Sequence, residues 1–383
     1  MSKYDGQKAR HLVTLEGRTM KRFFAVFALA AALFFTLGGR AFADNFDYGR
    51  EQIEGALPDD AAEILDERNI SPDNSGALNL TFGGVLSALW DLIKSEAGKP
   101  FTLFCVLGAA ILLTALAESL SEQGNLKGVV SVVGVVCSAG AAAVAMNDVL
   151  GETLGALSAT ANFMLVFIPC IAGIAAVLGH ITSASAVNSA AIAATQLFSQ
   201  LAVNFLAPLC GSVLGLSIAG AVHPQLKTDK LGELIKKFVV WGLTLIMTIF
   251  MSILSAQTLV ASASDNTAIK AAKFMVSQGV PIVGGTISDV VNTFGGSLSV
   301  LKGSVGTYGI IAAAVILFPS IARIFCYKIA LASAQALAEM LGLKELGTLM
   351  KSCCAVMTII LSVSICFLLL NFSAVILLLA ATN

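Results

Sequence analysis

The sequence predicts an all-α fold: a polytopic α-helical membrane protein with re-entrant or amphipathic helices and a small acidic extracytoplasmic N-terminal segment. Three observations predict it. Hydrophobic residues make up 57% of the 383 positions and charged residues only 12%, about half the usual share of a soluble domain (~25%). Too little polar surface remains to cover soluble domains of that length in water. The apolar residues also cluster into runs long enough to cross a bilayer. A formal net charge of −1 excludes a broadly basic nucleic-acid binder.

The first segment reads as a leader. Lys21 and Arg22 precede an apolar stretch from Phe23 to Leu37, and Ala41-Phe42-Ala43 has the small-x-small form of a signal-peptidase site. Residues 1–43 are therefore expected to be leader and signal peptide, with translation starting at Met20 and the mature chain at Asp44. Residues 44–100 carry 12 acidic and 4 basic side chains, whereas residues 101–383 carry 10 and 12. An acidic extracytoplasmic segment is thus expected before a nearly neutral membrane domain at 101–383. Within the acidic segment, Asp59–Arg68 is a charged helix candidate and 70–79 a turn-rich linker. Phe82, Leu86, Leu89 and Ile93, with Trp90 alongside, predict an amphipathic helix over 81–97, lying at the membrane interface or packed on the body.

The membrane body divides by its apolar runs. Phe101–Ala117 is the first span, Val129–Met146 the second, and Asn162–Gly179, interrupted by Pro169, the third. Residues 187–220 are apolar for a length of about 50 Å as a helix, too long for a ~30 Å hydrocarbon core. With Pro208 and Asn204 inside, they are read as a kinked helix or two shorter ones. Val239–Ala263, Gly306–Ile321 and Cys353–Leu379 complete the set. The positive-inside rule puts 118–128 and 180–186 inside, 147–161 and 264–305 outside. It puts Lys227, Lys230, Lys236 and Lys237 inside, together with a loop bearing Arg323, Lys328, Lys344 and Lys351. That arrangement needs 187–220 to enter and leave on one side.

Residues that could carry chemistry are sparse. All eight cysteines lie in or beside apolar segments, which argues against a disulfide framework, and adjacent Cys353 and Cys354 do not form a CxxC pair. His180 and His223 sit at span ends without a carboxylate pair nearby. No phosphate-binding loop, HExxH or GxSxG motif is present. No enzymatic activity, cofactor or metal is expected. Arg323 and Lys328 are expected to snorkel to the inner interface, and the span centres lack the acids of a proton relay. Neutral polar residues are denser: Asn188, Thr195 and Ser199 fall on one helical face, as helix–helix contacts or as a polar lining. Gly151/Gly155 and Gly211/Gly215 are GxxxG pairs.

The most unusual stretch is Asp265–Gly309. A capping signal at Asp265-Asn266-Thr267 leads to a hinge at Gly279-Val280-Pro281-Ile282-Val283-Gly284-Gly285. Apolar residues then recur from Val283 to Leu301 at spacings of three and four, interrupted by Gly295-Gly296. Asp289 is the one carboxylate in that second half. Two amphipathic or re-entrant helices are expected here, with Gly279, Pro281, Gly284, Gly285, Asp289, Gly295 and Gly296 as hinge and packing residues.

The run DNTAIKAAKFMVSQGVPIVGGTISDVVNTFGGSLSVLKGSVGTYG resembles the signature region of the stage III sporulation protein AE family. Thr267, Ala272-Lys273, Pro281 to Gly284, Asp289 and the Leu301-Lys302 to Val305-Gly306 junction carry the likeness. The resemblance implies a membrane subunit of a secretion-like channel in the mother-cell membrane around the forespore, required for late forespore development. It implies as partners the other stage III A proteins, an ATPase and ring-forming subunits among them, and the forespore stage II Q protein. It implies no catalytic residue. The reading that competes with it is a stand-alone permease for a small solute.

Overall fold

The computed structural model describes residues 50–67, 70–71, 93–120, 124–177, 180–222, 284–381 and most of 234–257, the side chains of the 284–381 stretch from 304 onward. All belong to one compact unit, 43–383. The expected signal segment, the 81–92 part of the amphipathic helix, the 265–283 half of the unusual stretch, His223, Lys227, Lys230 and Lys236 lie outside the described residues. Among the described residues every regular element is an α-helix: α1 (Arg50–Glu54), α2 (Asp59–Glu67), α3 (Gly98–Leu120), α4 (Gly124–Val177), α5 (Ile181–Val222), α6 (Lys237–Gln257), α7 (Gly284–Met340) and α8 (Lys344–Ala381). Helices α3 to α8 are long and apolar enough to cross a membrane. The chain is a multi-pass α-helical membrane protein.

The helices are longer than the apolar runs suggest. The second and third spans are not separated by an outside loop at 147–161; both lie on α4, one helix of 54 residues, or ~81 Å. Nothing in that stretch breaks a helix. Thr153 Oγ1 donates to Val149 O at 2.6 Å and Thr160 Oγ1 to Ala156 O at 2.8 Å, so these hydroxyls need no water. Residues 187–220 likewise form neither a pair of short helices nor a re-entrant turn. They lie on α5, continuous for 42 residues with Pro208 inside it, and Ser212 Oγ donates to Pro208 O at 2.7 Å. The expectation that this segment enters and leaves on one side is overturned, and with it the topology of the middle of the chain.

Arg323 and Lys328 are not in a loop. They lie inside α7, and only Leu341–Leu343 separates α7 from α8. That turn is a glycine C-cap. Gly342 takes φ +79°, open to a residue without Cβ. Its N–H donates to Glu339 O at 3.1 Å and that of Leu343 to Ala338 O at 2.9 Å, satisfying carbonyls the helix end leaves free.

Packing centres on the α7–α8 hairpin, with α4 and α5 against it, while α3 packs on α4 and α7. Close approach depends on glycine at two points of α7. A Cβ at Gly309 would fall on the ring of Phe167, and one at Gly306 on Leu379. Phe167 is fully buried and stacks on Phe163 at 5.3 Å between centroids. Helices α1 and α2 and the turn between them bury Ile53, Leu57, Ala61 and Leu65, and the two helices pack on α4 and α7 respectively.

A charged junction at the middle of the long helices

Two polar constellations tie the helices together. The first joins the entry of α3, the middle of α4 and α7. Arg323, on α7, donates from Nε to Glu96 Oε2 at 2.5 Å and pairs through Nη1 with Glu152 Oε2. The second oxygen of Glu152 faces Lys99 Nζ at 3.6 Å. Two carboxylates thus meet two cations, and the cluster is neutral. Burial is graded: Glu96 and Arg323 side chains are 17% and 22% exposed, Glu152 40% and Lys99 71%.

Neighbouring turns extend the junction. Ser320 Oγ donates to Thr153 Oγ1 at 3.1 Å, both buried. Cys326 Sγ lies 3.9 Å from Ile93 O. Tyr327, one turn beyond Arg323, is buried. Each contact joins helices distant in sequence, so the junction sets the level at which α3, α4 and α7 meet. The Arg323 guanidinium, expected to reach the interface, is held by carboxylates on both neighbouring helices. A fork of N–H donors suits two carboxylates arriving from different directions.

The second constellation lies between α5 and α8. Thr195 Oγ1 donates to Asn371 Oδ1 at 3.2 Å, and Asn371 Nδ2 donates to Phe367 O at 2.8 Å. Phe198 and Phe367 stack beside them at 5.5 Å, and Gln196 Nε2 donates to Ala161 O of α4 at 3.3 Å. Ser199 is buried on the same side. Thr195 and Ser199 therefore stand in the α5 contact face rather than along a wet surface. Asn188 is half-buried, and its Oδ1 has no donor among the described residues.

Of the unusual stretch, Gly284, Gly285, Asp289, Gly295 and Gly296 lie on the helical backbone of α7, Gly284 being its first residue. Their side-chain surroundings, and Gly279 and Pro281 altogether, lie outside the described residues. Among the described residues no three His, Cys, Asp or Glu side chains are grouped to hold a metal ion. Sequence reasoning misses Glu96, Glu152 and Asn371. A lone Asn within the apolar run of α8 is itself a signal, because an amide in lipid needs a partner. Glu152 is hidden by its polar neighbours Asn147 and Asp148, which make the segment read as a loop.

Comparison with known proteins follows from this geometry. The family model for stage III sporulation protein AE matches residues 67–382, which takes in all the membrane helices and both constellations. A stage III sporulation protein AE of Bacillus subtilis (strain 168) is 26% identical over 240 residues, 62% of this chain and 59% of that relative. The match thus spans about three-fifths of the relative's length. No solved structure matches the chain. A match over residues 67–382 of 383 leaves the assignment in no doubt, and the chain belongs to the stage III sporulation protein AE family.

Proposed function

We propose that this chain is a non-catalytic membrane subunit of the channel complex that links mother cell and forespore, and that it supports late forespore development. Its acidic N-terminal segment faces away from the mother-cell cytoplasm after signal removal, and its body sits in the mother-cell membrane around the forespore. Partners in this reading are the other stage III A proteins, including the ATPase and ring-forming subunits, and the forespore stage II Q protein.

Family membership supports a sporulation role. The observation that carries the choice of a scaffold over a stand-alone permease is the use of the polar residues. Thr195 and Asn371 bond each other across a helix contact, and Glu96, Arg323 and Glu152 neutralise one another at a junction. Neither group is left to bind a solute. The test is complementation. A deletion strain arrested after engulfment is expected to regain spores when the gene is restored, and only with the partner genes present. Purified protein that alone drives solute uptake into liposomes would refute the proposal.

A further inference from the structure

Between the charged junction and the α7–α8 turn the bundle has two unlike sides. On one side stand α3 and the first half of α4. Neither carries a charge over 101–117 or 129–146. Phe101, Val106, Leu113 and Leu116 of α3 and Val132 and Val136 of α4 are exposed there. Such a surface, about 25 Å high on α3, suits hydrocarbon and is costly in water. Helix α8 lies on the other side, since α3 packs on α4 and α7 whereas α8 packs on α7, α4 and α5. The outward surface of the α7–α8 hairpin is small and polar. Ser333, Ala336, Glu339, Lys344 and Lys351 are exposed. Gln335 Nε2 donates to Glu339 Oε1 at 2.8 Å, and the Glu339 stem lies against Gly347 of α8.

Contacts between the helices fix the height of these groups. Glu96 meets Arg323, and a Cβ at Gly108 would meet Leu337 at 3.8 Å. Helices α3 and α7 therefore run parallel, and Ser333 stands level with Cys105, inside the apolar run of α3. Glu339 beside Gly347 and Leu379 beside Gly306 put Lys351 at the same height on α8. Aliphatic and charged surfaces thus share one depth on opposite sides of the bundle. A bilayer that meets the α3–α4 side brings Glu339 and Lys351 to hydrocarbon depth, which is costly unless they face water or a counter-charge. Helix α6, which is not buried against the described residues, carries no charge from Phe238 to Gln257 and offers no counter-charge. Beyond the junction the outward residues of α8 become apolar: Leu361, Ile365, Leu369 and Phe372 are half-buried.

We propose that the outer face of the α7–α8 hairpin, from the Leu341–Leu343 turn to the height of Arg323, is the wall of a water-filled vestibule within the membrane. It is open at the turn and closed at the charged junction, with α3 and the first half of α4 as its lipid-facing back. This goes beyond the scaffold reading and does not rest on it.

The chain carries its own reference thiols. Cys105 and Cys137 are exposed on the α3–α4 side, Cys105 at the height of Ser333 and Cys137 nearer the turn. Full-length Ser333→Cys in membranes is treated with a charged, membrane-impermeant thiol reagent. Peptide mass spectrometry reads each thiol separately, relative to its rate in sodium dodecyl sulfate. Thiols react as thiolates, which apolar surroundings suppress, so the introduced thiol should outpace Cys105 and Cys137 by on the order of tenfold. Cys366, half-buried on α8 beyond the junction, should stay as slow as they do. An introduced thiol no faster than Cys105 overturns the inference, whether lipid, another segment of this chain or a partner covers the face. Cys105 and Cys137 as fast as the introduced thiol overturn it too, because the α3–α4 side is then not in hydrocarbon. A fast Cys366 overturns the closed end. Ala336→Cys, exposed one turn further, gives the same reading if Ser333→Cys does not accumulate. The labelling needs neither spores nor partner genes, so its failure leaves the proposed function standing.

Discussion

Replacing Arg323 by methionine removes the cation between Glu96 and Glu152 while keeping a long apolar stem. At an effective dielectric constant near 20, an ion pair about 4 Å apart is worth ~4 kcal/mol before desolvation is charged against it. Glu96 at 17% exposure keeps most of that loss, because its carboxylate stays half-buried without a partner. Glu152 at 40% exposure is screened by solvent and still has Lys99 at 3.6 Å, so its share is small. The expected net destabilisation is about 2–3 kcal/mol. The reactivity of Cys353, fully buried in the folded chain, reports unfolding of the detergent-solubilised protein against a thiol dye. At the lower end of about 2–4 °C per kcal/mol, suited to a long chain, the midpoint should fall by roughly 4–6 °C. Removing all three charges (Glu96→Gln, Glu152→Gln, Arg323→Met) should recover most of that fall, since no uncompensated charge is left. An Arg323→Met midpoint within about 1 °C of the parent refutes the view that the junction holds the helices together. A triple variant as unstable as the single one refutes the electrostatic cause, and points to lost packing of the arginine stem.

Three further outcomes are expected. Gly309→Ala should lower the same midpoint although alanine favours helix, because its methyl would meet the Phe167 ring and overpacking costs about 1–3 kcal/mol; pairing it with Phe167→Leu should destabilise less than the sum of the two changes. Thr195→Val should cost about 1 kcal/mol by removing the donor to Asn371, and its effect should vanish in an Asn371→Leu background. The Gly284→Leu/Gly285→Leu double variant, altered at the first residues of α7, should lower heat-resistant spore counts without lowering membrane abundance on an immunoblot; normal counts would remove the case for a hinge there.

Particular residues show how far the sequence carries. The apolar runs mark every long helix correctly as helix and as membrane-compatible, because hydropathy is a local property. Helix ends are another matter. Asn147, Asp148 and Glu152 read as a loop because a charge without a visible partner is assigned to water. Its partner, Arg323, lies 171 positions away in the sequence, beyond any window. Pro208 reads as a kink in one helix or a boundary between two, and α5 runs through it as one helix. Thr195 and Ser199 were legible as one helical face, but whether that face meets protein or water depended on Asn371, 176 positions from Thr195.

The sequence by itself determined the solvent and the kinship of this protein. Composition and run length demand a bilayer and helices within it, and the 265–309 signature carries the family likeness. Tertiary structure alone decided how far each helix continues and which polar groups cancel one another. The reason is physical. Burial in lipid is set residue by residue, whereas the neutralisation of a charge or the satisfaction of an amide is a property of pairs, and these pairs form only when distant helices meet.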